Sequence, residues 1–330
     1  MRIAVLGGGA WGTALGCLAA GKGFDAVLLV RDEELAGEIN ERHENRRYLP
    51  GLALDPRLRA GVSAGSVLSG AEVCVLAVPC QFMRAALEKV VAFLPDGAVL
   101  VCVSKGIETS SLKRMSEVAA EVLPRLAGRY AVLSGPSFAA EVMRGKPTAV
   151  VLGCADAGMR ESLRGLFATG VFRVYSSPDV TGLELGGAVK NVMAIAAGLC
   201  DGLEFGHNAR AALIARGLAE MIRLGRAMGA RMETFMGLSG LGDLVLTCTG
   251  DLSRNRQVGL RLAAGENLSA ITAGMRTVAE GVATTAAVLR LAEGRGVEMP
   301  VARAVGRILD GALPLEAARE LMARALRDEY

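Results

Sequence analysis

Aromatic side chains are scarce in this 330-residue chain: one Trp, four Tyr and eight Phe, 4% in all. That is too few for the stacking platforms that hold single-stranded nucleic acid. The net charge of +3 is small and mixed in sign, so no nucleic-acid partner is expected. Histidine is rarer still, with two residues and no His/Cys cluster, so no metal site is expected. Seven cysteines, at 17, 74, 80, 102, 154, 200 and 248, form no C-x-x-C pair. Several lie in apolar runs such as Val73-Cys74-Val75-Leu76 and read as small buried hydrophobes in a reducing compartment. No apolar run reaches the roughly 18 residues of a membrane span. The apolar stretch after Met1-Arg2 loosely mimics a signal peptide, but three consecutive glycines interrupt it. The expectation is a cytoplasmic protein with no membrane span.

Lysine is the most telling shortage. Of 37 basic side chains only 6 are Lys, at 22, 89, 105, 113, 146 and 190, which leaves 31 Arg. None of the last 140 positions is Lys. A chain that favours Arg so strongly keeps Lys190, in Glu184-Leu185-Gly186-Gly187-Ala188-Val189-Lys190-Asn191, where Arg would be the default. Arg stays protonated, whereas Lys in a dry pocket can release and recover its proton. Lys190 is therefore a candidate proton-transfer residue, set against the plainer reading of a lysine on a solvated helix face.

What is present in quantity is apolar residues, 52% of the chain. That is ample for burial, and the length suggests two domains. Short apolar runs at Arg2–Leu6, Ala26–Val30, Val73–Val78, Val99–Val103, Ala131–Leu133, Thr148–Leu152 and Phe172–Tyr175 read as strands buried on both faces. Helical patterns such as Gln81–Phe93 and Leu112–Leu123 lie between several of them. The alternation predicts an α/β fold with a doubly wound, Rossmann-type sheet. Past Ser176-Ser177-Pro178-Asp179 strand signals nearly vanish, and segments such as Ala209–Met228 and Thr284–Gly294 carry helical spacing. The expected division is 1–178 for a dinucleotide-binding domain and 179–330 for a mostly α-helical substrate domain. The tail Pro300–Tyr330 reads as amphipathic helix.

Gly7-Gly8-Gly9-Ala10-Trp11-Gly12 fits G-x-G-x-x-G and directly follows the first strand. Gly7 suits the tight turn, Gly9 lets backbone approach a pyrophosphate, and Gly12 lets helix and strand pack closely. The helix from Ala10 would offer its N–H groups and positive end to the phosphates. At the end of the second strand an NAD site usually places an acid to hold the ribose 2′-OH. Here Arg31 comes first and Asp32 second. Arg31 could pair with a 2′-phosphate, so NADPH is favoured over NADH. The alternative is a surface arginine, with Asp32 taking the acidic role.

Lys105, in Ser104-Lys105-Gly106, lies just past the carboxyl end of a strand, where ligands bind in open α/β sheets. Gly135-Pro136-Ser137 follows the next strand and could present backbone N–H and a hydroxyl, with Ser137 also suited to cap a helix over Phe138–Met143. In the helical half, Gly237-Leu238-Ser239-Gly240-Leu241-Gly242-Asp243 reads as a glycine-rich loop ending in a carboxylate. Ser253-Arg254-Asn255, just before a helical stretch from Arg256, suits a phosphate monoester. Plain capping by Ser253 beside a solvated arginine is the other reading.

Taken in order, these motifs resemble the bacterial NAD(P)-dependent glycerol-3-phosphate dehydrogenases, from Gly7 to about Thr285. The resemblance also rests on His43-Glu44-Asn45, Tyr48-Leu49-Pro50-Gly51, Ser134–Ala139, Asn208–Leu213, Gly240–Leu244 and Glu280-Gly281. It implies reversible reduction of dihydroxyacetone phosphate to sn-glycerol 3-phosphate, which supplies the glycerophospholipid backbone. It implies Lys190 as proton donor and acceptor, aided by Lys105 and Asp243. Substrate contacts fall on Lys105, Gly135, Ser137, Lys190, Asp243, Ser253, Arg254 and Asn255. Dinucleotide contacts fall on the glycine turn with Ala10 and Trp11, then Arg31, Tyr48, Lys105, Ala139, Arg254, Val278 and Glu280. Two departures stand out. Ala10 sits where relatives often carry Ser, and His207 precedes Asn208 where Asp is common. The expected ligand is a small phosphorylated substrate, and a homodimer is the assembly considered. Three rivals stay open: a β-hydroxyacid dehydrogenase acting on a substrate such as 6-phosphogluconate, a ketopantoate-type reductase, and a catalytically silent dinucleotide sensor.

Overall fold

The computed structural model describes residues 1–275, 279–323 and 325. The chain forms an eight-stranded sheet followed by helices. Strands β1 (Arg2–Leu6), β2 (Asp25–Leu29), β3 (Arg59–Gly61), β4 (Ala71–Leu76), β5 (Val99–Cys102), β6 (Tyr130–Ser134), β7 (Thr148–Cys154) and β8 (Phe172–Ser177) stand in the order β3-β2-β1-β4-β5-β6-β7-β8. Order reverses beside β1, which pairs in parallel with β2 (Val5 opposite Leu28) and with β4 (Val5 opposite Val75). This is the doubly wound α/β class that the alternation predicted.

The period-two geometry of β1 explains both helical layers. Ile3 and Val5 pack into one core with Leu15, Ala19 and Ala20 of the helix Ala10–Gly21. Ala4 and Leu6 face the other core, with Met83 and Leu87 of Met83–Val90 and Met115 and Val118 of Met115–Val122. A strand covered on both faces must be apolar at every position, which is why these runs were readable in sequence.

Two features of the sheet depart from expectation. The strand β3 was not anticipated: it has three residues, none buried, and no hydrophobic pattern to announce it. The strand β7 runs antiparallel to β6, with Leu133 opposite Leu152. Hydrophobic pattern reports burial and is silent on strand direction.

The chain divides into two compact units. The first takes Met1–Glu108 and Lys113–Glu184, and the second takes Thr109–Leu112 and the chain from Leu185 onward. Beyond Ser177 the described residues contain helices and no strand. The expectation about long apolar runs needs correction. The 23-residue helix Val180–Gly202 is long and apolar enough to cross a membrane, but its most apolar window is wholly buried within the protein. It is a core helix. In the second unit it meets the helix Arg254–Ala263 backbone against backbone: a Cβ on Gly259 would stand 2.1 Å from the Ile195 carbonyl oxygen. Only glycine permits that approach. The tail folds as two helices, Pro300–Leu309 and Pro314–Met322, rather than one. Residues 324 and 326–330 lie outside the described residues.

Candidate active site

In the first unit the glycine turn joins β1 to the helix Ala10–Gly21. Gly7 has φ +109° and any Cβ there would stand 2.7 Å from the Ala77 carbonyl oxygen. A Cβ on Gly12 would fall 2.2 Å from the Gly7 carbonyl oxygen, so the first helical turn sits directly on the loop. At Gly9 the space is open, with no heavy atom within 4 Å of where a Cβ would be. Gly9 is also the N-cap residue, no side chain caps this helix, and its first turn carries no acid. Uncapped N–H groups, the positive helix end and an open cradle fit a dinucleotide pyrophosphate.

A loop that sequence reading used only as a motif turns out to brace this turn. The wholly buried Asn45 donates from Nδ2 to the Gly8 carbonyl and to Thr13 Oγ1, each at 2.9 Å. Its Oδ1 accepts the Tyr48 backbone N–H at 3.2 Å. Tyr48 is thereby tied to the glycine turn, while Trp11 packs its ring 6.3 Å from that of Phe172. Burial obliges Asn45 to find these partners, and no pattern in the sequence announces that burial. Arg31 is exposed just after β2, and Asp32 caps the helix Glu33–Gly37 by accepting the Leu35 N–H at 2.9 Å.

Lys105, Gly135 and Ser137 come together. Lys105 Nζ donates to the Gly135 carbonyl at 2.9 Å, and Ser137 Oγ donates to the same oxygen at 3.1 Å. The capping role considered for Ser137 is not seen. Phe138 is the N-cap residue of the helix Ala139–Met143. Ala139 is that helix's first residue.

The second unit holds the other constellation. The Lys190 side chain projects from Val180–Gly202 and is 8% exposed, and that of Asp243 is 1% exposed. Lys190 Nζ donates to Asp243 Oδ1 at 2.6 Å and to Thr247 Oγ1 at 2.7 Å. Thr247 Oγ1 in turn donates to the Asp243 carbonyl at 2.6 Å. The solvated-face reading of Lys190 is therefore wrong. The segment expected to be a glycine-rich loop folds as a π-helical turn, Leu238–Gly242, which runs into the helix Asp243–Thr249. That continuous helical path points Asp243 and Thr247, four apart, at one lysine. The i, i+4 spacing was the signal for Thr247, and it was missed.

The helix expected from Arg256 starts two residues earlier, at Arg254, with Ser253 as its N-cap residue accepting the Arg256 N–H at 3.3 Å. Asn255 is buried between two neighbours. Its Nδ2 donates to Asn191 Oδ1 and its Oδ1 accepts the Gly281 N–H, both at 2.9 Å. This fixes the Arg254 segment against the residue next to Lys190 and against the start of the helix Glu280–Glu293. Arg254 is open to solvent yet crowded by protein. That crowding lowers the pKa of its guanidinium from the ordinary value, and the Glu280 carboxylate opposes the shift. Such a cation gains from an incoming anion. Val278 lies outside the described residues.

The sheet and its glycine turn define a dinucleotide-binding protein of the Rossmann class. Family models carry the identification further. Residues 2–160 match the N-terminal domain of NAD-dependent glycerol-3-phosphate dehydrogenase, and residues 179–320 match its C-terminal domain. The chain belongs to that family. It is 61% identical to a glycerol-3-phosphate dehydrogenase [NAD(P)+] of Nitratidesulfovibrio vulgaris and 58% identical to one of Oleidesulfovibrio alaskensis, each over the full length of both chains. Its fold is similar to the crystal structure of glycerol-3-phosphate dehydrogenase from Coxiella burnetii, with TM-score 0.92 and 38% identity over 98% of this chain and 99% of that one.

Proposed function

We propose that this chain catalyses the reversible, NAD(P)H-dependent reduction of dihydroxyacetone phosphate to sn-glycerol 3-phosphate, the step that supplies the glycerophospholipid backbone. The observation that carries the reading is the buried Lys190–Asp243 pair, set in a segment that the dehydrogenase family model spans. The family membership sets aside the ketopantoate, β-hydroxyacid and sensor readings.

A nicotinamide cofactor, when bound, supplies hydride for the carbonyl carbon. The carbonyl oxygen must then gain a proton. The Lys190 ammonium donates it and steadies the developing negative charge, and in the reverse direction the amine takes it back. Asp243 and Thr247 hold Nζ in one orientation, so little reorganisation accompanies the transfer. Arg254 anchors the substrate phosphate with charge-assisted hydrogen bonds. Ser253 Oγ accepts from Arg256 and keeps its own O–H to donate, and Asn255 keeps a second amide hydrogen. Phosphate binding remote from the carbonyl is spent on alignment. Lys105, with Gly135 and Ser137, adds positive charge and polar contact. The glycine turn, Ala10, Trp11, Arg31, Tyr48, Ala139, Val278 and Glu280 serve the dinucleotide, with NADPH preferred.

In this reading residues 1–178 are the dinucleotide-binding domain and 179–330 the helical substrate domain, in a cytoplasmic enzyme working as a homodimer. The seven cysteines, all buried and none in a disulfide, support a reducing compartment. The test is oxidation of NADPH and of NADH with dihydroxyacetone phosphate, unphosphorylated dihydroxyacetone and ketopantoate. Turnover with the phosphorylated ketone alone is expected. Equal turnover with dihydroxyacetone would remove the phosphate anchor from the mechanism, and a preference for ketopantoate would reject the substrate.

A further inference from the structure

A third residue, Arg47, stands beside Arg31 and Asp32 at the end of β2. Asp32 stands where an acid would hold the ribose diol of NADH. Both of its oxygens are already engaged. Oδ1 accepts the Leu35 N–H, and Oδ2 accepts from Arg47 Nη1 at 3.0 Å. The charges of Arg31 and Arg47 both bear on this carboxylate and hold it below its ordinary range, after the larger effect of the Leu35 hydrogen bond. Arg47 also interacts with the side chain of Tyr48. Its position is set by the chain: two residues earlier, buried Asn45 bolts the loop to Gly8 and Thr13 of the dinucleotide turn.

We infer that Arg47 is a specificity-determining residue, which withdraws Asp32 from ribose binding and offers, with Arg31, a second cation to the 2′-phosphate of NADPH. The inference rests on the NAD(P)H-dependent reading above. The Arg47 side chain is 43% exposed, so its fork can be shared between Asp32 and an arriving dianion. Asp32 and Tyr48 engage only part of a five-donor fork whose geometry matches a phosphate. Glu34 lies 3.8 Å from Arg47, but at 88% exposed its charge is screened by water. An acid that is ion-paired and capping a helix makes a poor acceptor for a ribose hydroxyl, and the same ion pair removes its repulsion of a 2′-phosphate.

The test is calorimetric binding of NADPH, NADH and adenosine 2′,5′-bisphosphate to the full chain and to three variants. Arg47→Ala should weaken NADPH and the bisphosphate by about tenfold or more, with NADH changed less than about twofold. Arg47→Lys should recover part of that loss, because a point charge survives without the fork. Asp32→Asn keeps a good helix cap and should leave NADH affinity unaltered. Equal weakening of NADH and NADPH by Arg47→Ala would show that Arg47 merely holds the loop, and would overturn the inference. So would a tenfold loss of NADH affinity in Asp32→Asn, which would make Asp32 the ribose acid. Failure of the unaltered chain to bind either dinucleotide would instead reject the proposed function, and the inference with it.

Discussion

Glu220 offers a worked test of how the second unit is held together. It lies on the helix Gly206–Ala227 and is only 2% exposed. Its carboxylate accepts the Val301 N–H at 2.6 Å and the Ala302 N–H at 3.1 Å. These are first-turn amides of Pro300–Leu309, whose own N-cap residue, Met299, offers no side-chain acceptor. Glu220 therefore caps a helix distant in sequence. Burial raises its pKa from 4.5 to about 7, against the two backbone hydrogen bonds and the nearby charges of Arg223 and Arg216. A group whose pKa is higher folded than unfolded binds more protons in the folded state between those two values. Stability from this group is therefore full below about pH 4.5 and falls as pH rises, with the loss complete a little above the folded pKa of about 7. At roughly 1.4 kcal/mol per pH unit the swing is about 3 kcal/mol. Glu220→Gln cannot titrate and keeps one carbonyl oxygen for the two amides, so it loses both the slope and about one hydrogen bond. Urea unfolding of both proteins across this pH window should show curves that diverge at acid pH and approach, or cross, above neutrality. Parallel curves would refute the reasoning, because they would mean that Glu220 titrates alike in both states.

The remaining predictions concern the chemistry. Lys190→Arg keeps the charge and the Asp243 partner, so dinucleotide binding should survive while kcat falls by about a hundredfold or more; near-normal kcat would remove Lys190 from proton transfer. Arg254→Ala should raise KM for the phosphorylated ketone by about 10- to 100-fold, and an unchanged KM would exclude it as the anchor. Lys190→Met alone takes the cation from a buried carboxylate and should cost about 3–5 kcal/mol of stability in thermal or urea unfolding. Adding Asp243→Leu should restore most of that stability and none of the activity.

Much of the first unit was legible because each structural demand there falls on residue type. A strand covered on both faces must be apolar, and a loop that touches helix and phosphate must be glycine. Direction, register and partner choice are different quantities. Nothing in Thr148–Cys154 says antiparallel, and three partly exposed residues cannot announce β3. The side-chain braces were hidden for a related reason. Asn45, Thr247 and Glu220 act on backbone groups or residues at distances of 3 to 82 positions, and only the fold brings most of those partners together. Of the three, only Thr247 lay within reach of sequence, through its helical spacing from Asp243. The expected glycine-rich loop obscured it, because seven residues with three glycines read as irregular when five of them, Leu238–Gly242, wind as a π-helical turn.

The division of labour between lysine and arginine follows from the same physics. The three cations that the proposals use as permanent charges, Arg31, Arg47 and Arg254, are all exposed. Lys190 is the reverse case, a cation almost wholly buried against a carboxylate. A buried ion pair is a poor stabiliser, since a well-packed apolar pair of similar volume is often as stable or more so. Stability alone therefore gives no reason to keep Lys190 and Asp243 together. An arginine would satisfy the charge but could not yield its proton, and an apolar pair would fill the volume but hold none. The proposed proton transfer supplies such a reason, since it needs a proton held at one atom, Nζ, and released on demand.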